Sequence, residues 1–390
     1  MKRSNLQQNR VAQGHADEVM SMSILFQALS IKSLTLPNRF VRSATWEGMA
    51  TDTGLVTPQL ITTMTDLADG DLGLIISGHA YVSPEGQAGP WQLGAHSDDC
   101  LPGLRQMTQA VHDHGGRIVI QLAHAGNFTS EKLTKSPPLV VSNFEGLADS
   151  PRREATAKDI QDLVQAFARA AARAKESGFD GVQIHSAHGY LLSQFLSPAF
   201  NHRTDDYGGS IENRSRIHRQ ILEAVRARVG PDYPILIKIN CRDFAENGLS
   251  LEDSVQVGQA LAREGLDGVE VSGGLLTGKK LSPSRPGIDS QDKEAYFREE
   301  AREFSKNLDI PVIMVGGVRS FDLAERLVQD KVADALSMSR PLIREPHLIS
   351  RWKSGDRTPA ACVSDNLCFR PAMKGKGICC VSAASGCAES

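Results

Sequence analysis

Along the chain, short apolar and β-branched runs alternate with longer segments of helical periodicity. The runs lie at 39–44, 72–77, 117–123, 180–185, 234–239, 266–272, 311–315 and 333–339. The helical pattern is plainest at 157–177. There Ile160, Leu163, Phe167, Ala170 and Ala174 share a face, Thr156 and Asp159 fit a capping pair, and Gly178 ends the run. A second helix is predicted from Ser250, with Asp253 three residues on, through Val255 and Leu261 to a stop at Gly265. Strands apolar on both faces, each followed by an amphipathic helix, predict a parallel sheet covered by helices. Eight such units predict a single-domain α/β fold, a closed (β/α)8 TIM barrel. The Gly-x-Gly-x-x-Gly turn that an open dinucleotide fold would carry after its first strand is missing.

Composition narrows the function classes. The 43 Lys and Arg against 46 Asp and Glu give a formal charge of -3, which argues against a strongly basic nucleic-acid binder. No apolar stretch reaches the ~18 residues of a membrane span, and residues 1–19 lack the apolar core of a signal peptide. A cytoplasmic enzyme with reduced thiols is therefore expected. The expected organisation is a disordered leader at 1–22, the barrel at 23–355 and a tail at 356–390. Five of the seven cysteines fall in that tail.

In a barrel of this kind chemistry collects where strands end and loops begin. The fourth run ends in His185, Ser186, Ala187, His188, Gly189 and Tyr190, offering two imidazoles and a phenol at the mouth. Both histidines could instead be metal ligands, but a third would have to come from elsewhere. The third run ends in Gln121, with His124 and Gly126 beyond it. Lys238 interrupts the apolar fifth run and must either pair with a carboxylate or meet an anionic ligand. Gly316 and Gly317 after the seventh run, with Ser320 as a candidate helix cap, resemble half of a phosphate cradle. Ser339 and Arg340 before Pro341 resemble the other half.

The stretch from His185 to Pro198, followed by 203–210 and Glu212-Asn213-Arg214, resembles the Old Yellow Enzyme family of FMN-dependent oxidoreductases. Asn38-Arg39, the segment 121–126 and Gly316-Gly317 agree in order and spacing. The resemblance implies FMN at the C-terminal face of the barrel, with NADH or NADPH as hydride donor. It implies that Gln121 binds the flavin pyrimidine edge and that Lys238 stands where the family places a cation, commonly arginine. Ser43, Ala44, Thr45 and Gly78 match ring contacts. Gly316, Gly317, Ser339 and Arg340 match the phosphate site. His185 and His188 match the pair that binds a substrate carbonyl or nitro oxygen, and Tyr190 matches the proton donor. The implied reaction is a ping-pong reduction of α,β-unsaturated small molecules, with neither nucleic acid nor membrane as partner. Family members often form homo-oligomers.

Departures from the family pattern are Trp46 beside the flavin position, Ala44 for a common proline, and Ser339 for a common glycine. The polar stretch 273–296 fits either a substrate-selecting lid or a surface loop. In the tail, Asp365 interrupts the cysteine pattern of cluster-bearing relatives. Cys362, Cys368 and Cys379 or Cys380 leave three thiolates for a metal, so a remnant site without metal is expected. Three rivals stand beside this reading. They are a 2,4-dienoyl-CoA reductase-like iron–sulphur flavoenzyme, a phosphate-binding lyase or isomerase with Lys238 as nucleophile, and a non-catalytic flavin-binding protein.

Overall fold

A computed structural model of the chain describes residues 23–144 and 151–383; the leader at 1–22 and Cys387 lie outside the described residues. Eight parallel strands close into a barrel in chain order. They are β1 (Phe40–Arg42), β2 (Leu74–Tyr81), β3 (Ile118–Ala123), β4 (Gly181–Ser186), β5 (Ile235–Asn240), β6 (Gly268–Ser272), β7 (Val312–Val315) and β8 (Ala335–Met338). Helices follow as α1 (Pro58–Asp69), α2 (Leu101–Asp113), α3 (Ala157–Glu176), α4 (Arg216–Val229), α5 (Leu251–Arg263), α6 (Arg298–Asn307), α7 (Phe321–Gln329) and α8 (Leu348–Lys353). The expected TIM barrel is thus the one observed. β3, β4, β5 and β6 are buried at every position, which is why their sequences are mostly apolar, with Gln121, Gln183, Lys238 and Glu270 as buried polar exceptions.

Local signals act where the sequence placed them. Thr156 accepts from the Asp159 amide while Asp159 accepts from that of Thr156, a complete capping box, and α3 ends before Gly178 at φ 85°. Ser250 caps α5, which stops before Gly265 at φ 96°. Pro341 lies in the first turn of the short helix Arg340–Arg344. Ser320 stands at the start of α7, but its hydroxyl donates to Glu294 instead of capping the helix.

Two features fell outside the sequence pattern. A hairpin of Leu29–Ile31 and Leu34–Leu36 precedes the barrel, and its Ile31, Leu34 and Leu36 join Val41, Leu74 and Leu236 in one apolar cluster. The tail folds back onto the rest of the chain. Its Ala360 and Ile378 amides donate to the carbonyls of Arg319 and Glu47, and the Ser364 carbonyl accepts from the Gly287 amide. Among the described residues no helix is long and apolar enough to cross a membrane.

Candidate active site

β2 runs past the apolar stretch that announced it. A register shift between Ile76 and His79 carries the strand on to Tyr81 and brings His79 opposite Gln121. After β4 the chain turns sharply through His188 at φ 65° and Gly189 at φ 87°. A left-handed histidine is uncommon and must be held by its surroundings. Here its amide donates to Asn240 Oδ1 at 3.0 Å, and Asn240 is itself fixed by Asp243 and the Gly274 carbonyl. The turn gathers His185, His188 and Tyr190. The His185 ring centroid lies 5.4 Å from that of His188 and 4.7 Å from that of Tyr190.

These three groups line a cavity of about 540 Å³ at the C-terminal mouth of the barrel. Ser43, Ala44, Thr45, Gln121, Lys238, Gly317, Ser339 and Arg340 line it as well. Two expected residues are not part of its wall. The Gly78 amide is committed to Glu47 Oε1 at 2.9 Å, so it has no free donor for a ligand. The Gly316 carbonyl accepts from the Tyr296 amide at 3.0 Å, one step behind the surface formed by Gly317. Gly317 has φ 76°, and a Cβ there would stand 2.7 Å from the Tyr296 ring, so only glycine fits. His124 is buried away from the cavity, with Nδ1 accepting from the Gly126 amide.

Several cavity residues gave no clear signal in the sequence. His79 Nε2 lies 3.1 Å from the Tyr190 hydroxyl. Burial, and after it the Lys238 charge, lower the pKa of His79 to about 4. Burial also holds His185 and His188 well below the usual imidazole range, helped by Lys238 and the neighbouring imidazoles, so all three rings are neutral at pH 7. Burial raises the pKa of Tyr190, keeping it a phenol. His188 Nε2 pairs with Ser272 Oγ at 2.8 Å, while His185 Nδ1 is buried without a protein partner.

Beneath these groups lies a polar network. Lys238 Nζ donates to Ser43 Oγ at 2.7 Å and stands 3.2 Å from Glu270 Oε1. The ammonium is thus a paired, fixed charge, unlike the free amine a Schiff-base nucleophile requires. At one edge of the cavity, Arg340 donates to the Arg285 carbonyl at 2.9 Å and to Asn366 Oδ1 at 2.8 Å. Asn366 belongs to the tail, which adds Phe369 and Met373 to the cavity wall. The 273–296 stretch adds Leu276, Pro283, Ser284 and Tyr296, and Trp46 also lines the cavity.

Among the described residues no three His, Cys, Asp or Glu side chains are arranged to hold a metal ion. Cys379 is disulfide-bonded, contrary to the expectation of reduced thiols throughout, whereas Cys362, Cys368 and Cys380 are free.

The donor set fits FMN. A cation and an amide face the interior, and a buried imidazole nitrogen lacks a partner. A glycine that tolerates no side chain stands with Ser339 and Arg340, and apolar groups such as Met338 and Val315 form walls for a flat ring.

The model of the NADH:flavin oxidoreductase / NADH oxidase family matches residues 24–358. The NADH oxidase of Thermoanaerobacter brockii is 34% identical over 352 residues, covering 88% of this chain but 53% of that protein, so the chain spans about half the length of that relative. The NADPH dehydrogenase of Bacillus subtilis (strain 168) is 35% identical over 324 residues, covering 83% of this chain and 92% of that protein. The solved structure of the old yellow enzyme homologue from Zymomonas mobilis superposes with a TM-score of 0.73 at 26% identity, over 87% of this chain and 95% of that one. The chain belongs to the NADH:flavin oxidoreductase / NADH oxidase family, the Old Yellow Enzyme family of FMN-dependent oxidoreductases.

Proposed function

We propose that the chain is an FMN-dependent NAD(P)H oxidoreductase that reduces activated C=C bonds of α,β-unsaturated carbonyl or nitro compounds. The observation that carries this reading is the convergence of His185, His188 and Tyr190 on one cavity with Gln121, Lys238 and Arg340. Gln121 and Lys238 would hold the pyrimidine edge of FMN, Ser43, Ala44 and Thr45 its ring, and Gly317, Ser339 and Arg340 its phosphate. FMN held there would supply two-electron hydride chemistry between NADH or NADPH and the β-carbon of the acceptor.

The chain's own residues do the rest. His185 and His188, neutral at pH 7, bind the carbonyl or nitro oxygen as hydrogen-bond donors and stabilise the negative charge that develops there, as an oxyanion hole does. Their neutrality matters: an imidazolium would deliver a proton to oxygen instead of only polarising it. Tyr190, kept protonated by burial, delivers its proton to the α-carbon as general acid. His79, hydrogen-bonded to that phenol, fixes its direction. Donor and acceptor would use the same cavity in turn, which makes the kinetics ping-pong.

Separate measurement of the two half-reactions tests the assignment. Tyr190→Phe is expected to leave flavin reduction by NADPH or NADH within about twofold of wild type. It is expected to slow reoxidation by an enone on the order of 10²-fold, the usual worth of a placed general acid. Equal losses in both half-reactions would remove Tyr190 from the proton-donor role.

A further inference from the structure

Glu270 sits fully buried in the middle of β6 and takes no part in the proton and hydride transfers proposed above. A carboxylate so deep is stable only if its lone pairs are filled. Here Oε1 accepts from Ser43 Oγ at 2.7 Å and Ser337 Oγ at 2.6 Å and faces Lys238 Nζ at 3.2 Å, while Oε2 accepts from Gln183 Nε2 at 2.9 Å. Burial alone would raise its pKa, but Lys238 and these donors outweigh burial and hold it below the ordinary carboxylate range.

An ionised carboxylate can only accept, so Gln183 must turn its amino group toward Glu270. Its carbonyl then faces the other way and accepts from Gln121 Nε2 at 2.7 Å. Gln121 has thereby spent one N–H inside the barrel, and its carbonyl oxygen is left as an acceptor at the cavity it lines. One carboxylate therefore fixes the orientation of two amides in series. Among the described residues it also offsets the one ammonium that lines the cavity, since the remaining cation of the wall is the Arg340 guanidinium.

We infer that Glu270 is a positioning residue that sets the charge and the hydrogen-bond polarity of the cavity floor. It balances Lys238 and, through Gln183, makes Gln121 present an acceptor to an N–H such as that of a flavin imide. The inference rests on the reading of Gln121 and Lys238 as partners of the pyrimidine edge. Its consequence is a flavin less easily reduced than an unpaired lysine at its pyrimidine edge would allow, because an unbalanced cation favours the anionic reduced form.

The test is the midpoint potential of the FMN-loaded protein, which a merely structural role would not move in a fixed direction. In Glu270→Gln the preference for reduced over oxidised flavin is expected to rise about tenfold, a potential higher by about 30 mV for a two-electron couple. In Lys238→Met the potential is expected to fall. A lowered potential in Lys238→Met with a wild-type potential in Glu270→Gln overturns the role of Glu270. Wild-type potential and FMN affinity in Lys238→Met overturn the underlying reading of Lys238 instead. Should Glu270→Gln not fold, Gln183→Leu carries the test, because it leaves the Lys238–Glu270 ion pair in place and removes the Gln183 amide that links Glu270 to Gln121. FMN titration of that apoprotein is expected to show about tenfold weaker binding; unchanged affinity overturns the inference.

Discussion

Buried neutral histidines tie this protein's stability to pH. His79 and His218 both have pKa values lowered to about 4, in each case chiefly by burial. In the unfolded chain each would titrate near 6.5. Below that pH the unfolded state binds more protons, so the contribution is complete above about pH 6.5 and is lost as pH falls through about 4. Urea midpoints are expected to drop steadily between pH 6.5 and 4.5. His218→Gln, which can keep the bond to Ser186 Oγ without the titrating ring, is expected to flatten part of that drop. An identical slope in the variant would remove His218 as a source. Gly317 gives a second prediction at this scale. Gly317→Ala forces a Cβ against the Tyr296 ring at a positive φ, and is expected to cost ~1–3 kcal/mol and weaken FMN binding, read by thermal unfolding and flavin titration.

At the scale of elements, the strands and caps were legible because they follow from burial and local hydrogen bonding. A strand covered on both faces has to be apolar, and an exposed first helical turn has to find acceptors for its amides. The capping box of α3 is one such device, and Thr156→Ala is expected to lower stability by ~1 kcal/mol in denaturant unfolding. His79 was illegible because Gly78 and a register shift broke the apolar run of β2 before the strand ended. Glu270 carried the same signal as Lys238, a charge inside an apolar strand, yet its meaning lies in a partner one strand away. The tail was legible only as a cysteine pattern. Its contribution to the cavity through Asn366, Phe369 and Met373 depends on where the chain returns, which no local pattern encodes. Asn366→Ala is expected to release one tether of Arg340 and weaken FMN binding several-fold with the barrel intact, as measured by flavin fluorescence and circular dichroism.

At the scale of the whole molecule, the barrel brings residues from seven strands, the tail and the 273–296 stretch around one cavity. Hydride donor and hydride acceptor would share that space, so one flavin would serve both in turn. Anaerobic titration of the purified holoprotein tests it most directly. A yellow protein is expected, with an oxidised flavin spectrum that stoichiometric NADH or NADPH bleaches. The spectrum is then predicted to return on adding an enone or nitroalkene in the absence of oxygen, one acceptor consumed per flavin. A protein that binds no flavin, or whose reduced flavin is left unoxidised by every such acceptor, would contradict it.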